Sequence, residues 1–132
     1  VKDNVSIPVI GNGDIKSIDD AKRMFAYTGV DMIMVGRGSM GNPWLIRSLV
    51  DYFSGKEVQE PPTALEKISV CRKHFELLLA EKGEKLAVLE MRSLAAWYVK
   101  GIGNNKEFKM ALVKVNTKQE FYSLLDRFSE GI

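Results

Sequence analysis

The sequence predicts an α/β segment followed by an all-α helical bundle, with helix outweighing strand by residue count. Three observations carry that expectation. Two short apolar runs, Val5–Ile10 and Met32–Val35, each end at glycine and are each followed by residues at helical spacing. The stretch KEVQEPP, residues 56–62, then interrupts the apolar pattern with charge and a Pro-Pro pair. Beyond it every periodic stretch is helical. The chain thus divides into an α/β part at 1–55, a linker at 56–62 and a helical part at 63–132.

Within the first part, Val5–Ile10 reads as a strand broken by Gly11-Asn12-Gly13. Ser17 stands where a helix needs a cap, with Asp20 three residues later as its partner. Ile18, Ala21, Met24 and Phe25 supply the apolar stripe of that helix, and Gly29 stops it. Met32–Val35 is apolar without a break, the pattern of a strand covered on both faces, and it runs into Gly36-Arg37-Gly38. Asn42 is expected to cap a second helix, with Pro43 as its first residue and Gly55 at its end. Strands joined by a helix of this length should pair in parallel through a right-handed crossover.

Four helices are expected after the linker. Thr63 and Glu66 form a T-x-x-E capping box, and Leu65, Ile68, Cys71, Phe75, Leu78 and Leu79 make one stripe ending near Gly83. The next helix runs from about Glu84 to Lys100, with Leu86, Leu89, Leu94, Trp97 and Tyr98 inward. A short one follows Asn104-Asn105 and carries Phe108, Ala111 and Leu112. The last begins at Thr117 with Glu120 as capping partner and buries Phe121, Leu124, Leu125 and Phe128. Such a set packs as a small bundle.

Composition limits the classes of function. Of 132 residues, 45% are hydrophobic and 27% charged, the balance of a globular chain. No window approaches the ~20 consecutive apolar residues of a membrane span. One cysteine, Cys71, excludes an internal disulfide, and with one histidine, His74, it excludes a structural zinc site of the usual ligands. With no signal peptide visible at VKDNVSIPVIGNG, the expected compartment is reducing and cytoplasmic. The net charge of +2 is unevenly spread. Between residues 85 and 118, Lys85, Arg92, Lys100, Lys106, Lys109, Lys114 and Lys118 face only Glu90 and Glu107. That is either a solvated helix face or a phosphate-facing surface.

The candidate chemistry lies at the C-terminal ends of the two strands. Gly11-Asn12-Gly13-Asp14 follows the first and Gly36-Arg37-Gly38-Ser39 the second. Glycines let backbone N–H groups approach an anion, and arginine adds a planar charged donor. Two such loops on adjacent parallel strands match the phosphate site at the last two strand–helix loops of a TIM barrel. Each loop alone is equally well a tight turn.

Three segments, IPVIGNGDI, YTGVDMIMVGRGSMGNPWLI and MRSLAAWYVKG, closely resemble the C-terminal half of bacterial tRNA-dihydrouridine synthases. The resemblance covers the whole chain. It implies an FMN-dependent TIM-barrel oxidoreductase with a C-terminal helical domain, which reduces uridine in tRNA with electrons from NADPH. Residues 1–55 would then be the last β-α-β-α quarter of the barrel. Asn12, Gly13, Asp14, Gly36 and Arg37 would bind the phosphate end of FMN, and residues 63–132 would grip tRNA, with Arg92, Lys100, Lys106 and Lys109 as contacts. Ser93 and Leu94 depart from the lysine and histidine usual in the family after that arginine. Nothing corresponds to the family's catalytic cysteine, so the fragment itself is expected to hold no catalytic residue and to be inactive, with little or no FMN binding alone.

Other residues read more plainly. Cys71 falls on an apolar stripe and is expected in the core, and His74 on the helix surface. Trp97 and Tyr98 are expected in the core rather than against bases. No metal site is expected, and no membrane partner. Two alternatives stay open: another FMN- or phosphate-binding TIM-barrel dehydrogenase, and a non-catalytic helical module that binds RNA or protein. Strands cut from a barrel leave unpaired edges, so the fragment is expected to form a homo-oligomer through them.

Overall fold

The computed structural model describes residues 1–132 and is mostly helical, with six α-helices and two short parallel strands. It divides into two compact units, Val1–Pro61 and Pro62–Ile132.

In the first unit, β1 (Ile10–Asn12) and β2 (Met32–Met34) pair in parallel, with Ile10 opposite Met32 and Asn12 opposite Met34. β1 starts later than the β-branched run suggests. Pro8 has no N–H to give a ladder, and Val9 is held from the side instead. Its carbonyl accepts from the Asp31 and Met32 N–H groups, and its own N–H donates to the Asp31 carboxylate at 2.8 Å. The glycine expected to break the strand, Gly11, lies inside it; a Cβ there would sit 3.0–3.2 Å from Val30 and Met24 side-chain atoms.

Helix α1 (Ile18–Thr28) opens as its sequence suggests: the Ser17 hydroxyl accepts from the Asp20 N–H at 3.1 Å. The Asp20 carboxylate reaches back to the Lys16 N–H. Gly29 ends it in the left-handed conformation, at φ 64°. Helix α2 (Trp44–Phe53) begins one residue later than expected. The Asn42 N–H is tied to the Ser39 carbonyl in the preceding turn, and Asn42 makes no side-chain cap, leaving Pro43 in the cap position. The helix also ends before Gly55, where Ser54 bonds back to Val50. Ile15, Ala21, Leu45 and Leu49 form the buried centre of the unit, with Ile33 partly buried against it. The other face of the two strands, bearing Ile10, Met32 and Met34, is exposed, so neither strand is covered on both faces.

The second unit contains α3 (Ala64–Lys82), α4 (Glu84–Tyr98), α5 (Asn105–Leu112) and α6 (Lys118–Glu130). Thr63 and Glu66, and Thr117 and Glu120, close full capping boxes on α3 and α6. The core joins Ile68, Cys71, Phe75 and Leu78 of α3 to Ala87, Val88, Met91, Ala95 and Tyr98 of α4, with Phe108 and Leu112 of α5 and Phe121, Leu124 and Leu125 of α6. Phe75 and Phe121 meet at 4.2 Å between ring centres. Arg72 reaches Asp126 and lies over the Tyr122 ring, tying α3 to α6. Three expectations fail here. Leu65 is exposed rather than part of the α3 stripe, and on α4 both Leu86 and Leu89 face solvent. The inward face of α4 is built instead on Ala87, Val88, Met91, Ala95 and Tyr98.

Candidate functional site

Because Asn12 and Met34 are register partners, the loops that follow β1 and β2 leave the same end of the pair. After β1, Gly13 and Asp14 both take positive φ, 156° and 45°. After β2, Arg37–Ser39 forms one 3-10 turn. Ser39 holds that turn through its N–H and its hydroxyl, which both donate to the Gly36 carbonyl, at 3.1 and 2.9 Å. The Arg37 and Gly38 N–H groups donate to no protein acceptor. An Arg37 guanidinium nitrogen lies 3.4 Å from the Asp14 carboxylate, and Arg37 is 81% exposed. An ion pair this exposed adds little stability, so its effect is to bias where the guanidinium points.

One residue in these loops carries more structural weight than its motif suggests. A Cβ on Gly38 would lie 2.1 Å from the Ile15 carbonyl oxygen. The second loop therefore crosses directly against the backbone of the first, over buried Ile15 and Leu45. Sequence reasoning treated Gly38 only as half of G-R-G. The available signal was that glycine is the one residue permitting such an approach. Asn12, Gly13, Asp14, Gly36 and Arg37 are brought together at one end of the unit, and all but the glycines offer side-chain polar atoms.

The helical unit sorts the basic residues. Arg92 is partly buried and committed: its Nε donates to the Val115 carbonyl at 2.9 Å and an Nη to the Asn116 amide oxygen at 2.8 Å. Lys100 and Lys106 are exposed and Lys109 is half-buried. None of the seven basic residues between 85 and 118 forms an ion pair with a carboxylate. The two acidic residues of α4 are already engaged, since Glu90 receives Lys82 at 2.9 Å and Glu84 caps the Lys118 N–H at 2.9 Å.

Cys71 is fully buried, and burial pushes its thiol up to about 12, which leaves it protonated and unreactive at neutral pH. His74 is half-buried rather than on the open surface; its Nδ1 meets the Tyr98 hydroxyl at 3.1 Å. Burial raises the Tyr98 phenol above its ordinary range. The expectation that Trp97 and Tyr98 share the core fails for one of them. Tyr98 is buried, whereas Trp97 is 38% exposed, because adjacent residues on a helix point about 100° apart.

Taken by class, this is an α/β unit with paired glycine loops and an exposed arginine, followed by a helical unit rich in unpaired cations. The particular family follows from comparison: the Dihydrouridine synthase (Dus) family matches residues 1–131, and the chain belongs to that family. The chain is 39% identical over 127 residues to a protein of Mycobacterium leprae named "Probable tRNA-dihydrouridine synthase", covering 96% of this chain and 33% of that one. It is 38% identical over 132 residues to "tRNA-dihydrouridine synthase B" of Pasteurella multocida, covering 97% of this chain and 39% of that one. A Rickettsia conorii relative is 39% identical over 116 residues, 88% of this chain and 35% of its own. The chain thus spans about a third of the length of the curated relatives it matches.

Proposed function

We propose that this chain is the C-terminal part of a tRNA-dihydrouridine synthase, an oxidoreductase that reduces uridine in tRNA. The family match over residues 1–131, together with relatives named for that activity, carries this reading. On it, the first unit is the last β-α-β-α quarter of a TIM barrel. Its exposed sheet face, Ile10, Met32 and Met34, supports that reading, because a barrel would cover it with the remaining strands.

The loops fit the phosphate end of FMN. Arg37 would supply positive charge, and the free Arg37 and Gly38 N–H groups would donate to phosphate oxygens. Gly13 and Gly36 would let backbone come close. Asp14 cannot face a phosphate dianion, so it would orient Arg37 and, with Asn12, accept from neutral hydroxyls of the cofactor. Bound FMN supplies hydride chemistry, with NADPH as reductant. The helical unit would grip tRNA through Lys100, Lys106 and Lys109, with Arg92 shaping the surface from beneath. The fragment alone would lack catalysis, since its single thiol is buried and protonated.

The full-length protein tests both units. Arg37→Ala should lower flavin occupancy of the folded protein, and Lys106→Glu with Lys109→Glu should weaken tRNA binding at low salt. Unchanged occupancy removes Arg37 from the site. Unchanged tRNA affinity removes the α5 lysines.

A further inference from the structure

The outer face of α4 is neither core nor ordinary polar surface. Leu86, Leu89, Ser93 and Trp97 recur at helical spacing on one stripe, Lys100 follows in the turn after the helix, and all five are exposed. Leu86 is 50% and Leu89 55% exposed. No aromatic ring or cationic side chain of the unit stacks on the Trp97 indole. Helical side chains lean over the turn that precedes them, which for Trp97 is the turn bearing Ser93. Ser93 is small and its hydroxyl turns back to the Glu90 carbonyl at 3.0 Å, and Trp97 keeps 38% of its surface exposed.

Charge identifies the occupant. Lys85 lies at the start of α4 and Lys100 in the turn just after its end, and neither pairs with a carboxylate. Lys118 is brought alongside the start of α4 by the Glu84 bond to its N–H, and Arg92 holds the Val115–Asn116 turn beside the middle of the helix. Glu84 and Glu90 are both engaged, so little negative charge opposes a polyanion here. A partly exposed indole on a helix that also carries unpaired cations is the combination that binds single-stranded nucleic acid, with a base on the ring and phosphates on the lysines along the helix.

We propose that this face of α4 is a stacking platform for an unpaired base of RNA, and that Trp97 is the residue that takes the base. The proposal deepens, and rests on, the tRNA reading above: it assigns this surface to a splayed or looped segment rather than to duplex. Stacking adds affinity without displacing counterions, whereas each phosphate contact adds to the salt slope.

The test uses the 132-residue chain with Trp44→Phe, so that Trp97 is the sole indole. A short single-stranded RNA, a duplex of equal length and an unmodified tRNA transcript are titrated in turn. The single strand and the tRNA should quench Trp97 emission, and the duplex should not. Trp97→Ala should weaken single-strand binding about tenfold while leaving the salt slope unchanged, and Trp97→Phe should recover most of the loss. Lys106→Glu with Lys109→Glu should lower the slope instead. Salt-sensitive RNA binding with unquenched emission and no effect of Trp97→Ala overturns the stacking role and leaves the tRNA reading standing. Absence of RNA binding at low salt overturns both. Self-association abolished by Trp97→Ala assigns the stripe to a second copy and overturns the proposal.

Discussion

Gly38→Ala is the sharpest perturbation that the first unit offers. The added methyl carbon would begin 2.1 Å from the Ile15 carbonyl oxygen and 3.2 Å from a Leu45 methyl. The obstacle is backbone, so no rotamer change removes it. Relief requires the two loops to part by more than 1 Å, roughly the gap to an ordinary contact, and that displacement passes into buried Ile15 and Leu45. Overpacking of this kind costs about 1–3 kcal/mol, and a rigid backbone neighbour puts it at the upper end. A small unit with a two-stranded sheet has only a few kcal/mol to lose. The two tryptophans make the measurement local, since Trp44 reports on the first unit and Trp97 on the second. With Trp97→Phe as background, Gly38→Ala should move the Trp44 urea midpoint down by about 1 M or more, given a slope near 1–3 kcal/mol/M. The helical transition followed by circular dichroism should not move. A Trp44 midpoint unchanged by the substitution would refute the close-approach argument.

Other expectations follow from single contacts. Cys71 should resist alkylation at pH 8 in the native chain and react fully in denaturant, because its thiol is buried and protonated; rapid native labelling would contradict that. Arg92→Ala should destabilise the helical unit by about 1–3 kcal/mol through loss of its bonds to Val115 and Asn116, and Arg92→Lys should not restore them, as seen by thermal unfolding. An unaltered midpoint would free Arg92 from a structural role. The exposed sheet face should drive association of the isolated chain at micromolar concentration, and Met32→Lys with Met34→Lys should abolish it in sedimentation. A monomeric parent chain would refute this.

What the sequence revealed depended on the range of the interaction. Caps were legible because their bonds close within three or four residues: Ser17 to Asp20, Thr63 to Glu66 and Thr117 to Glu120. The meeting of the two glycine loops followed from parallel strand order. The orientation of α4 was illegible because the helix is apolar nearly all round. Large Leu86 and Leu89 look like core, yet Ala87 and Ala95 are the residues other helices close upon. That choice is made by α3, α5 and α6, not by α4 itself. The start of β1 was misplaced for a similar reason: β-branched residues suit a strand, but Val9 is held by Asp31, twenty-two positions away. Gly38 was visible as a residue while the carbonyl it accommodates was not.

The turn between α5 and α6 has a consequence for proteolysis. Exposed Lys114 stands in it and exposed Lys118 opens α6 at its end, both nominal trypsin sites. Yet every N–H from Lys114 to Lys118 is held, the first two by helix α5 carbonyls, the next two by Glu120 and the last by Glu84. Cleavage needs an extended strand threaded into the protease, and here each peptide would have to surrender a bond first. Lys56, by contrast, opens a stretch with no regular structure. Trypsin should therefore cut after Lys56 and pass over the richer-looking turn, releasing the helical unit with its lysine-bearing surface intact.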